Sequence, residues 1–135
     1  MSLVYRCRVQ ARSYEMDAFG HLNHAVFLNY FEYARFQAFR DAGYPADQVT
    51  ARGEGIHVVR VEVDYLKEVF LGQDLEILTR VESSRNSSMT LLQEACGPGD
   101  PDSVHARARV VIVWVGPDRR PMRIPAEVRS ALGIA

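Results

Sequence analysis

Between residues 13 and 25 the chain reads Ser13-Tyr14-Glu15-Met16-Asp17-Ala18-Phe19-Gly20-His21-Leu22-Asn23-His24-Ala25, which sets a short carboxylate and two imidazoles at the entrance of a helix. The first residues of a helix present unpaired backbone N–H groups and a positive dipole end, so a carbonyl oxygen placed there is polarised and its oxyanion stabilised. Asp17 lies close enough to face the same spot, where it can attack an activated acyl carbon or deprotonate a water that does so. These are the ingredients of acyl transfer. The same residues also have plain structural uses: Asp17 as a turn or cap residue, His21 and His24 as partly buried hydrogen-bonding groups, Asn23 as a helix N-cap, and Gly20 as the residue that takes a backbone conformation others resist.

The elements that must position this segment follow from periodicity. Residues 4–12 alternate, with Tyr5, Cys7, Val9 and Ala11 on one face and Arg6, Arg8, Gln10 and Arg12 on the other, which predicts a half-buried strand. Asn23 to Ala42 reads as a helix closed by Gly43 and Pro45. It carries Phe27, Tyr30, Phe31, Tyr33, Phe36 and Phe39 in almost every direction around its axis, so it needs cover on most sides. After a Gly-bearing loop at 51–55, Val59, Val61, Val63 and Tyr65 alternate with Arg60, Glu62 and Asp64; further strands are predicted from about Leu75 to Glu82, Met89 to Cys96 and His105 to Val115. Turns fall at Asn86-Ser87-Ser88, at 97–101 and at Gly116-Pro117-Asp118, and Pro125 to Leu132 reads as a short helix. One strand, one long apolar helix and four hairpin-linked strands imply an α+β domain over residues 1–135, with an antiparallel sheet folded around the helix. Such a sheet covers one side of the helix, and a second subunit is expected to cover more, by edge pairing or sheet extension, as a homodimer or homotetramer.

Composition narrows the function. The 135 residues are 47% hydrophobic and 24% charged, with a net charge of −1, so no positive field exists to hold nucleic acid or an anionic membrane. Fifteen of the 16 basic residues are Arg, which suits local anion sites. The longest apolar run, Val110 to Val115, is far short of the roughly 20 residues of a membrane helix. The first residues lack the pattern of a signal peptide, and Cys7 and Cys96 have neither zinc nor disulfide spacing, so the expected location is cytoplasmic.

The run from Asp17 to Ala25, followed by Phe27-Leu28-Asn29-Tyr30-Phe31-Glu32-Tyr33-Ala34-Arg35, resembles the signature of hotdog-fold acyl-CoA thioesterases of the 4-hydroxybenzoyl-CoA thioesterase class. Val63-Asp64-Tyr65-Leu66-Lys67 and Gly72-Gln73-Asp74-Leu75 are similar to that family's central strand and the turn after it. The resemblance implies a five-stranded sheet wrapped around one helix, with Asp17 as nucleophile or general base, the backbone N–H of His24 as the donor that polarises the thioester carbonyl, and the His24 side chain as a helper. It also implies no cofactor beyond the coenzyme A of the substrate. Several relatives carry a tyrosine four residues before the aspartate; here that position is Ser13, and Tyr14 stands at minus three, where alternation along an extended chain points it away from the site and outside the catalytic set.

A CoA thioester brings phosphates and a thin pantetheine arm, so its site needs basic groups at a rim and a narrow channel. Arg85 with Ser87 and Ser88, and Lys67, are the candidates for that rim, while Gly20 and Asn23, at the helix entrance, are further candidates for binding the substrate and its CoA. Glu32 could reach the site or pair with Arg35, and Phe19, Phe27 and Tyr30 could line an acyl pocket. Other readings of the same residues are a hotdog acyl-thioester hydratase or dehydratase, a non-catalytic acyl-CoA-binding module, and a two-histidine, one-carboxylate metal site built on Asp17, His21 and His24. The histidines follow Asp17 by four and seven residues, whereas the hydratase relatives space theirs by five.

Overall fold

The computed structural model describes residues 3–134; Met1, Ser2 and Ala135 lie outside the described residues, and with them the ends of the 1–135 domain and the start of the segment read above for a leader. The elements in order are β1 (Tyr5–Gln10), a short 3₁₀ turn (Ser13–Glu15), α1 (His24–Asp41), α2 (Ala46–Ala51), β2 (Gly55–Tyr65), β3 (Asp74–Ser84), β4 (Ser88–Gly97), β5 (Asp100–Val115) and α3 (Ala126–Ala131). The strands form one antiparallel sheet in the order β1-β3-β4-β5-β2. The expected architecture is therefore present.

Alternation explains how the sheet holds the helix. Leu75, Ile77, Met89, Leu91, Ala95, Ala106, Ala108, Val110, Ile112 and Trp114 form one buried cluster with Phe27, Tyr30, Phe31, Ala34 and Phe39 of α1. Alanines at 95, 106 and 108 leave room for the aromatic rings of the helix. A polar knot sits inside this core: the fully buried Gln93 donates through Nε2 to Phe31 O at 3.0 Å and Thr79 Oγ1 at 2.9 Å, and its Oε1 accepts from Arg35 Nη1 at 3.0 Å. Such a knot fixes the height of α1 over the sheet, because breaking any one bond strands a buried polar group. The opposite face carries cross-strand ion pairs, Arg6–Glu76, Arg107–Glu94 and Arg109–Glu82, at 3.0–3.2 Å.

Three details depart from periodicity. Residues 46–51 form a helix, α2, that the sequence reading left without structure. The alternation of Val59 with Val61 and Val63 is broken by a bulge between Val58 and Arg60, which puts an extra residue opposite β5 and leaves Val59 60% exposed. Leu91 and Leu92 are both buried because β4 is central: Leu91 faces α1, and Leu92 lies on the other face between Arg80 and Arg109 of the flanking strands.

β2 is an edge strand. Of its inward row, Ile56 and Val63 are half-buried against the core while Val58, Val61 and Tyr65 are exposed, as are Leu28, Tyr33 and Phe36 on α1. One sheet thus covers one side of the aromatic helix and leaves the other open. Among the described residues no helix is long and apolar enough to cross a membrane.

Candidate active site

The segment between β1 and α1 is a miniature hairpin. Asp17 N–H donates to His21 O at 2.8 Å, Gly20 N–H to Asp17 O at 3.2 Å, and Met16 and Leu22 form an isolated antiparallel bridge. Gly20 sits at φ +87°, where a Cβ would meet no neighbour but would strain the backbone, so the turn needs glycine for its conformation and not for space. The Asp17 side chain closes the turn: Oδ1 accepts from Phe19 N–H at 2.8 Å and His21 N–H at 3.4 Å, and Oδ2 stands 3.2 Å from His21 Nδ1. Partial desolvation pushes the carboxyl up, but the N–H groups of Phe19, His21 and Gly20 together with the His21 ring outweigh it and hold the group below the usual carboxylate range. Asp17 is both the turn residue of the structural reading and an ionised carboxylate facing a cleft.

The helix entrance is capped on its neighbours and open at one N–H. Asn23 Oδ1 accepts from Ala25 N–H at 2.8 Å, Asn23 N–H donates to Glu15 O, and Val26 N–H donates to Asn23 O. No acceptor takes the N–H of His24 among the described residues. Tyr65 holds that residue from the other side, its hydroxyl donating to His24 O at 2.9 Å and its ring meeting the His24 ring edge-on at 6.3 Å. Burial pushes the Tyr65 phenol up, which keeps it a donor.

Asp17, His24 and Lys67 line one open cleft with His21, Phe27, Tyr65, Gln73 and His105. Gly20 and Asn23 shape the segment but do not line the cleft. Lys67 Nζ donates to Ser103 Oγ at 2.7 Å at the cleft rim. Tyr14 is 77% exposed, outside the cleft, with Arg12 Nη1 donating to its hydroxyl. Phe19 is 86% exposed, Phe27 lines the cleft, and Tyr30 is turned away, its hydroxyl donating to the buried Glu15 at 2.5 Å. Asp17, His21 and His24 do not gather as metal ligands: no cluster of three or more His, Cys, Asp or Glu that could hold a metal occurs among the described residues.

Arg85 and Ser87 lie at the other end of the sheet. Register sets Ser88 beside Val113, and Ala95 beside Ala106, which in turn pairs with Tyr65 at the cleft. Seven residues of strand are about 23 Å, so these two do not join Asp17 within one chain. Near that far end a separate cavity of about 180 Å³ opens between α1, α2 and β2, walled by Phe36, Phe39, Val49, Ile56 and Val58 and lined also by Glu32 and Arg35. Glu32 therefore faces this cavity and not the Asp17 cleft.

Tyr65, Gln73 and His105 were not singled out from the sequence. Tyr65 reads as one more strand residue, Gln73 as part of a turn, and His105 as a strand start; only strand pairing and the loop 66–73 bring them to Asp17.

The sheet wrapped around α1 is the hotdog architecture, and the family match and relatives make the chain a thioester hydrolase. Residues 11–132 match the model of the thioesterase-like superfamily, and the chain belongs to that family. It is 25% identical over 130 residues to the chloroplastic acyl-acyl carrier protein thioesterase ATL3 of Arabidopsis thaliana, a match covering 96% of this chain and 68% of that one. A thioesterase from Thermus thermophilus, solved with coenzyme A and zinc, is 31% identical, with a TM-score of 0.80 over 94% of this chain and 90% of that one. The 1,4-dihydroxy-2-naphthoyl-CoA thioesterase of Synechocystis has a TM-score of 0.85 over 96% and 95% of the two chains at 15% identity, a likeness of fold.

Proposed function

We propose that the protein hydrolyses an acyl-CoA thioester to a free carboxylic acid and CoA, with Asp17 as nucleophile or general base and the His24 N–H as oxyanion donor. The observation that carries this is the unpaired N–H of His24 at the start of α1, on the same cleft as an ionised Asp17 whose remaining hydrogen-bond partners hold it in place. A thioester carbonyl that accepts from His24 N–H is polarised, and its carbon is then open either to Asp17 or to a water that Asp17 deprotonates. In the first route a mixed anhydride forms, CoA leaves as thiolate, and water cleaves the anhydride; in the second, water adds directly. Both end with one acid and one thiol. The His24 ring, on the same cleft, is a proton donor for the leaving sulfur. The reaction needs only these groups, water and the CoA of the substrate, with no further cofactor or metal. The run Asp17 to Ala25 supports a place beside the 4-hydroxybenzoyl-CoA thioesterases within the family.

The assembly is a homo-oligomer whose unit is a dimer, as the open β2 edge and exposed Leu28, Phe36 and Val61 argue. If two β2 strands pair antiparallel about a two-fold axis, the Gly55 end of one stands beside the Tyr65 end of the other. The partner's 180 Å³ cavity then serves this chain's Asp17 as acyl pocket, and its Arg85 and Ser87 reach the CoA phosphates next to Lys67. A cavity of that size suits a single ring or a medium aliphatic chain. The net charge of −1 argues against nucleic acid or membrane as partner, and free Cys7 and Cys96 suit a reducing, cytoplasmic setting.

Thiol release from short-chain, long-chain and aromatic acyl-CoAs, followed with a chromogenic disulfide, tests the function. Release by the wild type and its loss in Asp17→Asn is the expected result; no release from any thioester overturns the hydrolase reading in favour of a hydratase or a binding module.

A further inference from the structure

Three hydrogen bonds in series fix a side-chain amide in the wall of the Asp17 cleft. Phe70 N–H donates to Gln73 Oε1 at 3.1 Å, and because a backbone N–H can only donate, this settles which end of the amide is oxygen. Nε2 then points the other way, 3.4 Å from His105 Nε2. An amide nitrogen can only donate as well, so His105 Nε2 accepts and the ring proton sits on Nδ1, where it donates to Glu68 O at 2.9 Å. His105 is 4% exposed, and its own carbonyl takes the N–H groups of Leu66 and Lys67 at 2.8 and 3.0 Å, so the ring cannot swing away without unpicking the loop around it. The same loop holds the Asp17 segment, through Leu22 N–H to Val69 O at 2.7 Å.

One N–H of the Gln73 amide is spent on His105; the other is left for a ligand in the cleft that Gln73 shares with Asp17 and His24. A neutral, pre-oriented donor is of little use to Asp17, which already accepts from Phe19 and His21. It suits an amide carbonyl, and the pantetheine arm carries such carbonyls whatever acyl group it bears. We propose that Gln73 is a substrate-binding residue that donates to an amide carbonyl of the pantetheine arm, and that His105 is a positioning residue acting through Gln73. This rests on the acyl-CoA reading above and goes beyond it by naming the group that recognises the arm.

The test is the affinity of free CoA, measured by titration calorimetry in the Asp17→Asn protein so that no turnover is needed. Gln73→Leu is expected to weaken binding about tenfold, the loss of one good hydrogen bond, and the isosteric Gln73→Glu, which keeps the acceptor for Phe70 N–H but loses the donor, by at least as much. His105→Asn keeps the bond to Glu68 O but cannot reach Gln73; it should weaken CoA about threefold to fivefold alone and have no effect once Gln73 is Leu. His105→Gln, whose amide oxygen reaches Gln73, should restore affinity to within about twofold of the parent. Unchanged CoA affinity in a folded Gln73→Glu protein, additive effects of His105→Asn and Gln73→Leu, or a loss seen with acyl-CoA but not free CoA would each overturn the proposal. Thiol release by the wild type is scored separately, so failure of the hydrolase reading shows there and not in these affinities.

Discussion

Asp17 and His21 face each other across a tight turn, Oδ2 and Nδ1 3.2 Å apart, while the other carboxylate oxygen takes the N–H groups of Phe19 and His21. The carboxylate is thereby aimed and kept ionised by its own segment of chain, without a distant partner. Its orientation depends on a glycine at +87° and on the bridge from Met16 to Leu22.

Asp17→Asn keeps the Oδ1 acceptor for Phe19 N–H and so keeps the turn, but it can neither attack nor take a proton. Turnover is expected to fall by about 10²-fold to 10⁴-fold, with thermal melting unchanged to within about 2 °C. Near wild-type rates in a folded variant would remove Asp17 from the mechanism.

The depressed carboxyl pKa has a measurable direction. Asp17 should titrate below its ordinary value of 3.8, staying ionised as pH falls through the range where exposed aspartates protonate. Replacing His21 by Ala removes one of the groups that lower it but leaves the backbone donors, so the midpoint should rise. Carbon-13 NMR titration of the Asp17 carboxyl in the two proteins reads this directly, and an unmoved midpoint would show that the imidazole contributes nothing.

Asn23→Ala deletes the cap on α1, an exchange that costs about 1 kcal/mol at a typical N-cap. For a domain of this size the melting temperature should drop by about 3–5 °C in a calorimetric scan, with the circular dichroism spectrum preserved. Gly substituted at the same position should recover most of the loss, because it also tolerates the cap conformation.

The interface reading predicts complementation between two dead proteins. Asp17→Asn lacks the carboxylate but has an intact cavity; Thr50→Trp, placed in the wall of the 180 Å³ cavity and away from the β2 edge, has the reverse. After subunit exchange, mixed dimers carry one site with both parts intact, and activity should return to about a quarter of wild type. No recovery on mixing, with exchange confirmed by mass spectrometry of tagged chains, would place the whole site in one subunit. Val61→Asp on the exposed edge should convert the dimer to a monomer in sedimentation, with activity lost in parallel.

Periodicity and contiguous residues settled a great deal before any tertiary structure. Alternation along residues 5–10 and 74–84, the aromatic helix from His24, its Asn23 cap and the turn at Gly20 are written in near neighbours, and near neighbours obey local rules of backbone and side-chain geometry. Asp17 beside a helix N-terminus could be found in this way because the whole constellation spans a few residues. What sequence alone could not supply is whatever depends on which strand lies beside which. His105 and Gln73 reach Asp17 only because β5 pairs with β2 and the loop 66–73 folds back over their junction, and Arg85, read as a neighbour of the site, lies at the opposite end of the sheet by strand register. The exposure of β2 is of the same kind: its valines carry the pattern of a buried strand, but its place at the edge of the sheet order leaves Val58, Val59 and Val61 exposed. Hydrogen-bonding register and edge position are properties of pairs of strands, and no single stretch of residues encodes them.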